Sequence, residues 1–476
     1  MRLYLINPYN PLVSIINSKQ NRWNRYTVWK PLGLLVIAAM TPREWEITVL
    51  DENVKRHDYS TLPMPDLVGI TAFTSQADRA YTIATEFRQR GAPVVIGGIH
   101  ATMCSAEAAQ WADAVVTGEA ENVWKEVLDD TVKGRMKPLY NGVRISLDHM
   151  PMARHDLLST GYRFGSIQTT RGCPLACGFC SVSAFNGRQY RRRPIADVIR
   201  EFHTIREDLV LVVDDNFIGT SKEHISRTKD LLRAIIDAKI RKRWVAQATI
   251  NLGDDEELLA LAAKAGCIGV FIGFETTSTE GLKEIHKKIN IRKKRDIKIA
   301  IRRIHRHGIA IVGSFIIGLD VDRKGVGRDI AETARQYGLD TINVVFLTPL
   351  PGTRLWDEMN AKNRVILKRS RSDWRYYTLT FPVARYNHLS WREMLAEKEE
   401  CFRIFYAYPA IFRRVCSCAF HLRNPVLTLF SNLSYRGNTL RLDRAIYKDF
   451  AISPGEATMH KNADQETPSP VVGSGA

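Results

Sequence analysis

Short apolar runs alternate with amphipathic helical stretches along most of this 476-residue chain, and that alternation restricts the fold more than any other feature. In the first third the runs fall at 3–6, 47–50, 67–72, 93–98 and 114–117. Helices are expected between several of them, as over 76–90, where Ala77, Ala80, Ile83, Ala84 and Phe87 share one face. A second set follows at 165–170, 209–213, 244–249, 269–274, 310–317 and 341–347, with helical stretches such as 195–206, 254–265 and 294–307. Strands joined through helices pair in parallel and are covered on both faces. The second set is too short to close an eight-stranded barrel, so it predicts an open one. The expected class is α/β: an N-terminal doubly wound, Rossmann-like domain at 1–145, a partial (β/α)6 barrel at 146–369 and a helical region at 370–450. The remainder, 451–476, is rich in Pro, Ser and Gly and reads as a disordered tail. A chain this long exceeds what a single core usually serves.

Cys173, Cys177 and Cys180 form a C-x3-C-x2-C triplet directly after the first strand of the second set. Thiolates this close together are ligands for zinc or an iron–sulfur cluster. A closed structural zinc site takes four ligands, and no fourth Cys or His lies nearby. Three thiolates suit a four-iron cluster that leaves one iron open. Cys104 and Cys267 stand alone in apolar settings and read as inert core residues. Cys416 and Cys418, two apart on a helix, do not face each other.

Ligands of parallel sheets bind at the carboxyl ends of the strands. In the first third those ends carry Thr71, Phe73, Thr74 and Ser75; Gly97, Gly98, His100 and Thr102; and Gly118 and Glu119. Paired glycines admit a large ligand close to the backbone, and hydroxyls can bond its polar rim. No G-x-G-x-x-G follows the first strand, which argues against a dinucleotide. The residues by themselves also fit a flavodoxin-like domain holding another ligand.

Taken together, the triplet with Phe179 before its last Cys resembles the signature of radical SAM enzymes. The Gly97–Gly98–His100–Thr102 and Gly118–Glu119–Glu121 segments resemble the cobalamin-binding domain that precedes many radical SAM barrels. The resemblance covers roughly residues 1–360. It implies a 4Fe-4S cluster on the three cysteines, S-adenosylmethionine (SAM) on the open iron, and cobalamin on the N-terminal sheet. It further implies that Glu275 meets the SAM ribose or amino group, that Ser181 and the Phe179 backbone lie near the cluster and adenine, and that one of Asp214 and Asp215 contacts a cofactor, Asp214 being the candidate. A strand-end turn capping the next helix is the other reading of that pair. The D-x-H-x-x-G motif of other cobalamin domains is absent, so the cobalt is expected to lack a histidine below it, with His100 bonding the backbone or the corrin rim. The Pro351-Gly352-Thr353 segment is expected to close one edge of the substrate cavity. The implied activity is C-methylation of an unactivated carbon in a small-molecule or lipid substrate, hopanoid-like for example, through a 5′-deoxyadenosyl radical and methylcobalamin. A non-methylating oxidoreductase, cyclase or rearrangement enzyme using the same cofactors is the alternative. An electron donor such as flavodoxin or ferredoxin would be a partner.

The net charge of +17 could suit nucleic acid, anionic membrane or anionic ligands. Part of it lies in 287–306, where Lys293, Lys294, Arg295, Lys298, Arg302, Arg303 and Arg306 alternate with Ile297, Ile301 and Ile304; this reads as a solvated helix face. No nucleic-acid module accompanies it. Helices are expected over 390–406, 408–422 and 425–446, and the last two mix Phe412, Phe420, Leu427, Leu429, Phe430 and Leu433 with Arg413, Arg414, Arg423, Arg436, Arg441 and Arg444. Such a pair can cap the barrel or lie in a membrane interface. No apolar stretch approaches the ~18 residues of a membrane span, and Met1–Pro8 reads as a strand. A cytoplasmic setting is expected, with membrane association through the last helices as the open question.

Overall fold

The computed structural model describes residues 1–10, 12, 29–158, 161–291, 296–368, 370–420, 425–438, 447 and 450. The tail and Lys293, Lys294, Arg295, Arg423, Arg441 and Arg444 lie outside them, as do the side chains of Phe420 and Leu427.

Six parallel strands form the N-terminal sheet: β1 (Arg2–Asn7), β2 (Glu46–Asp51), β3 (Leu67–Thr71), β4 (Val94–Gly97), β5 (Ala114–Thr117) and β6 (Leu139–Asn141). Their order is β2-β1-β3-β4-β5-β6, with Leu3 opposite both Ile47 and Leu67. From β1 the chain moves to one side for β2 and to the other for β3. The crevice beyond the carboxyl ends of β1 and β3 is therefore the topological switch point, where such sheets take ligands. Alternate side chains feed two cores. Tyr4, Ile6, Val68, Ile70 and Ile96 pack with Tyr81 and Phe87 of the helix Ala77–Gln89. Leu3, Leu5, Val95 and Val116 pack with the helices Leu32–Met40 and Trp124–Val132.

The second sheet contains β7 (Phe164–Ile167), β10 (Leu209–Val212), β11 (Arg243–Ala248), β12 (Cys267–Glu275), β13 (Ala310–Ile317) and β14 (Thr341–Phe346). All pairings are parallel and follow chain order, and β7 and β14 are its two edges, so the barrel is open. A short antiparallel pair, β8 (Thr170–Arg171) and β9 (Arg191–Arg192), stands beyond the end of β7.

The chain then returns to the first sheet. Trp374, Tyr376, Tyr377 and Phe381 enter the core that contains Tyr81 and Phe87. The helices Tyr408–Phe420 and Pro425–Asn438 turn one face to the barrel: Asn432 Nδ2 donates to the Asp340 carbonyl (3.0 Å), and Arg414 and Arg436 donate to the Phe405 and Tyr406 carbonyls (both 2.8 Å). Their outer face leaves Tyr408, Phe412, Val426, Leu429, Phe430 and Leu433 exposed. Capping and an outward apolar surface thus coexist. No helix among the described residues is long and apolar enough to cross a membrane.

Candidate active site

The cysteine loop leaves the β8 end of the barrel and is held at both sides. Gly172 has φ +92°, and a Cβ there would lie 2.2 Å from the Gln189 carbonyl oxygen, so only glycine lets the loop turn so close to its neighbour. The Gly172 amide donates to Asp215 Oδ2 (2.7 Å), and Cys173 N–H donates to the Gly187 carbonyl (3.2 Å). In mid-loop, Gly178 N–H donates to the Ile285 carbonyl (3.4 Å), and the Gly178 carbonyl accepts from Leu355 N–H (2.9 Å). The Pro351-Gly352-Thr353 turn thus delivers Leu355 onto the cysteine loop.

All three thiols are free and near enough to repel one another when ionised. Burial pushes Cys173 up to about 11, Cys177 up to about 12, and Cys180 upward. Binding a metal replaces those protons. Among the described residues no three Cys, His, Asp or Glu side chains converge as a single-ion site requires. Three thiols on one loop can each supply a thiolate ligand to a four-iron cluster.

Beside this loop, β12 ends in an irregularity. Its register against β13 shifts between Gly273 and Glu275, and Glu275 has φ +70°. Such backbone strain in a bulky residue gathers at functional sites. The Glu275 carboxylate pairs with the buried Lys287 ammonium. Burial opposes the Lys287 charge, but Glu275 and the nearby Cys177 outweigh it and hold the lysine charged. Lys287 therefore departs from the solvated basic face read from the sequence. Asn290 Nδ2 steadies the turn by donating to the Gly273 (3.1 Å) and Phe274 (3.2 Å) carbonyls.

On the N-terminal sheet, Phe73 follows β3 at the switch point and is 66% exposed. Its amide donates to Gln76 Oε1 (2.9 Å), which fixes the turn beneath it. Thr71, Ser75, Gly97, Gly98 and Gly118 are half-buried along the same edge. Thr102 Oγ1 donates to the Gly98 carbonyl (2.9 Å) and accepts from Gly118 N–H (3.0 Å), binding the two glycine loops together. An exposed aromatic flanked by loops without bulky side chains fits a flat, largely apolar macrocycle.

Residues 167–324 match the Radical SAM superfamily and residues 22–128 match the B12 binding domain. The bacteriochlorophyllide d C-12(1)-methyltransferase of Chlorobaculum tepidum is 29% identical over 81% of this chain and 84% of its own. The hopanoid C-2 methylase of Rhodopseudomonas palustris is 28% identical over 71% of this chain and 65% of its own. The fold is shared with the radical S-adenosylmethionine methyltransferase TsrM from Kitasatospora setae, solved with cobalamin and a [4Fe-4S] cluster bound: TM-score 0.65, 18% identity, 94% of this chain and 99% of that one. The chain carries a radical SAM domain and a B12-binding domain, and it is similar to cobalamin-dependent radical SAM methyltransferases. Its cofactors are a 4Fe-4S cluster, SAM and cobalamin.

Within this radical SAM enzyme several expected contacts lie inside the protein rather than on the open edges. Asp214 is wholly buried. Its Oδ1 accepts from the Thr169 amide (2.6 Å), and its Oδ2 from the Thr169 (2.5 Å) and Thr170 (2.9 Å) hydroxyls. Burial raises its pKa to about 6 against the pull of those bonds. It braces the end of β7, and its neighbour Asp215 is the one that reaches the cysteine loop. Thr74 is buried. His100 is fully buried too: its Nε2 shares a hydrogen bond with the Tyr81 hydroxyl (2.8 Å), its ring meets Trp374 edge-on, and its Nδ1 has no partner among the described residues. Glu119 is turned away from the glycine edge toward the barrel, where Arg191 and Arg171 receive it. Ser181 opens the helix Ser181–Phe185 beside Cys180, and Phe179 packs in a small cluster with Ile285, Leu347 and Leu355. Cys104 and Cys267 are raised to about 12 by burial, as befits inert thiols. Asp215 shared its strand-end motif with Asp214, whereas Lys287, Arg171 and Arg191 carried no motif of their own. Their only signal was a charged residue next to a cofactor segment.

Proposed function

We propose that this enzyme is a methyltransferase acting on an unactivated carbon of an extended apolar substrate of the tetrapyrrole or hopanoid class. The observation that carries this reading is that Glu119, beside the glycine loops at the carboxyl end of one parallel sheet, is bound by Arg171 and Arg191 of the β8–β9 pair that flanks the cysteine loop of the other. When bound, the cluster and SAM supply hydrogen abstraction from a carbon that no protein base could deprotonate, and cobalamin supplies the methyl group. Cys173, Cys177 and Cys180 hold the cluster. Glu275 and Lys287, which satisfy each other here, take the polar groups of SAM, with Ser181 and the Phe179 backbone beside its adenine. Phe73, with Thr71, Ser75, Gly97, Gly98 and Gly118, forms the bed of the corrin in domain 1–145, against the barrel of 146–369.

Two partners follow from the surface. An electron donor such as flavodoxin or ferredoxin would approach the cysteine loop where Gly178 and Phe179 line a small cavity of about 80 Å³ with His286 and Arg354. The outward apolar face of 408–438, with exposed Arg413 and no acidic residue in that span, supports peripheral contact with an anionic membrane where a lipid substrate resides.

Anaerobic incubation of the reconstituted protein with SAM, a low-potential reductant and a candidate substrate tests the reading. Methyl transfer releases both S-adenosylhomocysteine and 5′-deoxyadenosine. Release of 5′-deoxyadenosine alone indicates the cyclase or rearrangement class, and release of neither overturns the proposal.

A further inference from the structure

Glu119 follows Gly118, whose φ of +67° brings it so close to the next loop that a Cβ would lie 2.1 Å from the Gly142 carbonyl oxygen. Gly118 is therefore fixed in place, and so is the direction in which Glu119 leaves it. The Glu119 side chain is 2% exposed. Its two oxygens accept from both terminal nitrogens of Arg191 (2.5 and 2.8 Å), and Oε2 also accepts from the Ile145 amide (3.0 Å) and faces Arg171 Nη1 (3.3 Å). Arg171 completes the set with Glu121 (2.8 Å). Two carboxylates of the cobalamin-binding side thus neutralise two guanidinium groups of the β8–β9 pair.

The contacts continue on both sides. Arg191 Nη2 donates to the Asn186 carbonyl (3.1 Å), Asn186 Nδ2 donates to Asp215 Oδ2 (2.9 Å), and that oxygen holds the Gly172 amide next to Cys173. On the other side Gly118 is bonded through Thr102 to Gly98. An unbroken polar chain runs from the glycine edge to the first cysteine. Removing four charges from water adds little stability compared with an apolar contact of the same size. What bidentate pairs of this kind provide is a fixed relative placement.

We infer that Glu119 is a positioning residue whose latch onto Arg191 sets the placement of the cobalamin-binding edge relative to the cysteine loop. The inference rests on the proposed placement of the two cofactors. It explains why a carboxylate at a ligand-binding strand end points away from the ligand. Both cofactors must reach the same substrate carbon, so their separation matters more than the occupancy of either. A misplacement of about 1 Å costs on the order of a hundredfold in a positioned reaction.

The test uses the full chain with both cofactors loaded, as wild type and as Glu119→Gln and Glu121→Gln. Dipolar EPR between the reduced cluster and cob(II)alamin reads their distance directly. A single narrow distribution is expected in wild type and a broadened or displaced one in Glu119→Gln. With SAM and substrate, methyl transfer should fall by about a hundredfold, with 5′-deoxyadenosine formation reduced much less. An unchanged distance, or an unchanged ratio of 5′-deoxyadenosine to methylated product, overturns the latch even if both rates drop. Hydrogen exchange on the cofactor-free chain covers a variant that cannot be loaded. Faster exchange in both the 97–119 and 172–191 segments supports the latch, and a change confined to one side overturns it. Wild-type protein that forms neither product contradicts the functional reading, whereas the distance and exchange measurements judge the latch independently.

Discussion

Replacing Gly172 by alanine should remove the cluster while leaving the rest of the fold in place. A left-handed backbone costs a non-glycine residue about 1–2 kcal/mol. The added Cβ would also sit 2.2 Å from the Gln189 carbonyl oxygen, with the Gly187 oxygen 3.2 Å away, and both are main-chain atoms that cannot rotate aside. The loop must retreat by roughly 1 Å to reach an ordinary contact, and overpacking of this kind costs about 1–3 kcal/mol. Together these match the worth of the Gly172–Asp215 hydrogen bond, about 1.5–3 kcal/mol because its acceptor is a carboxylate, plus the Cys173–Gly187 bond at about 1 kcal/mol. They remain below the ~5–15 kcal/mol that hold a typical domain together. The loop should therefore give way before the domain does. Gly338→Ala is the control, because Gly338 has φ +76° but a Cβ there meets nothing within 4 Å, so it carries only the backbone cost. Iron per chain after anaerobic reconstitution, read beside the far-UV spectrum and the Tm, decides the matter. Gly172→Ala should lose most of its iron with a nearly native spectrum, and Gly338→Ala should keep it. Equal iron in both would refute the close-packed turn as the device that presents Cys173.

Three further outcomes follow from the same geometry. Glu275→Gln leaves the buried Lys287 ammonium without its counter-charge, a loss of about 3–5 kcal/mol when a buried pair is broken; iron content should hold while SAM binding weakens about tenfold or more, and unchanged affinity would place SAM elsewhere. Bound cob(II)alamin should show an EPR spectrum without nitrogen superhyperfine splitting in both wild type and His100→Ala, since His100 is sealed against Tyr81 and Trp374; a splitting that vanishes in the variant would contradict that. Co-sedimentation with anionic vesicles should be salt-sensitive, with about 1 kcal/mol from each arginine near the surface, and should disappear in Phe412→Glu/Phe430→Glu, whereas equal binding to neutral vesicles at high salt would point to non-specific adhesion.

The architecture was legible in the sequence because it depends on periodicity, which is local. The barrel runs expected at 209–213 and 310–317 match β10 and β13 to within a residue. β6 escaped notice because three residues with one buried side chain give no pattern. The helix Leu32–Met40 was missed because it is apolar almost all round and lacks the polar stripe that betrays a surface helix. In the site, the cysteine spacing and the strand-end glycines could be read, since spacing along the chain alone brings those groups together. The direction of a side chain at a strand end could not. Glu119 and Phe73 occupy equivalent strand-end loops, yet one is buried on an arginine 72 residues away and the other faces outward. Lys287 was obscured for the same reason. Only the left-handed turn at His286 and the end of β12 bring it under Glu275, and until then it is one lysine in a basic stretch.

The central claim is that one chain holds a radical-generating cluster on three cysteines and a cobalamin on a separate sheet. Iron and cobalt counted on the same anaerobic preparation test it most directly. Wild type should carry about four irons and about one cobalamin per chain, and Cys173→Ala/Cys177→Ala/Cys180→Ala should lose all the iron while still binding cobalamin. A triple variant that keeps its iron, or a wild type that takes up zinc in place of a cluster, would contradict the account.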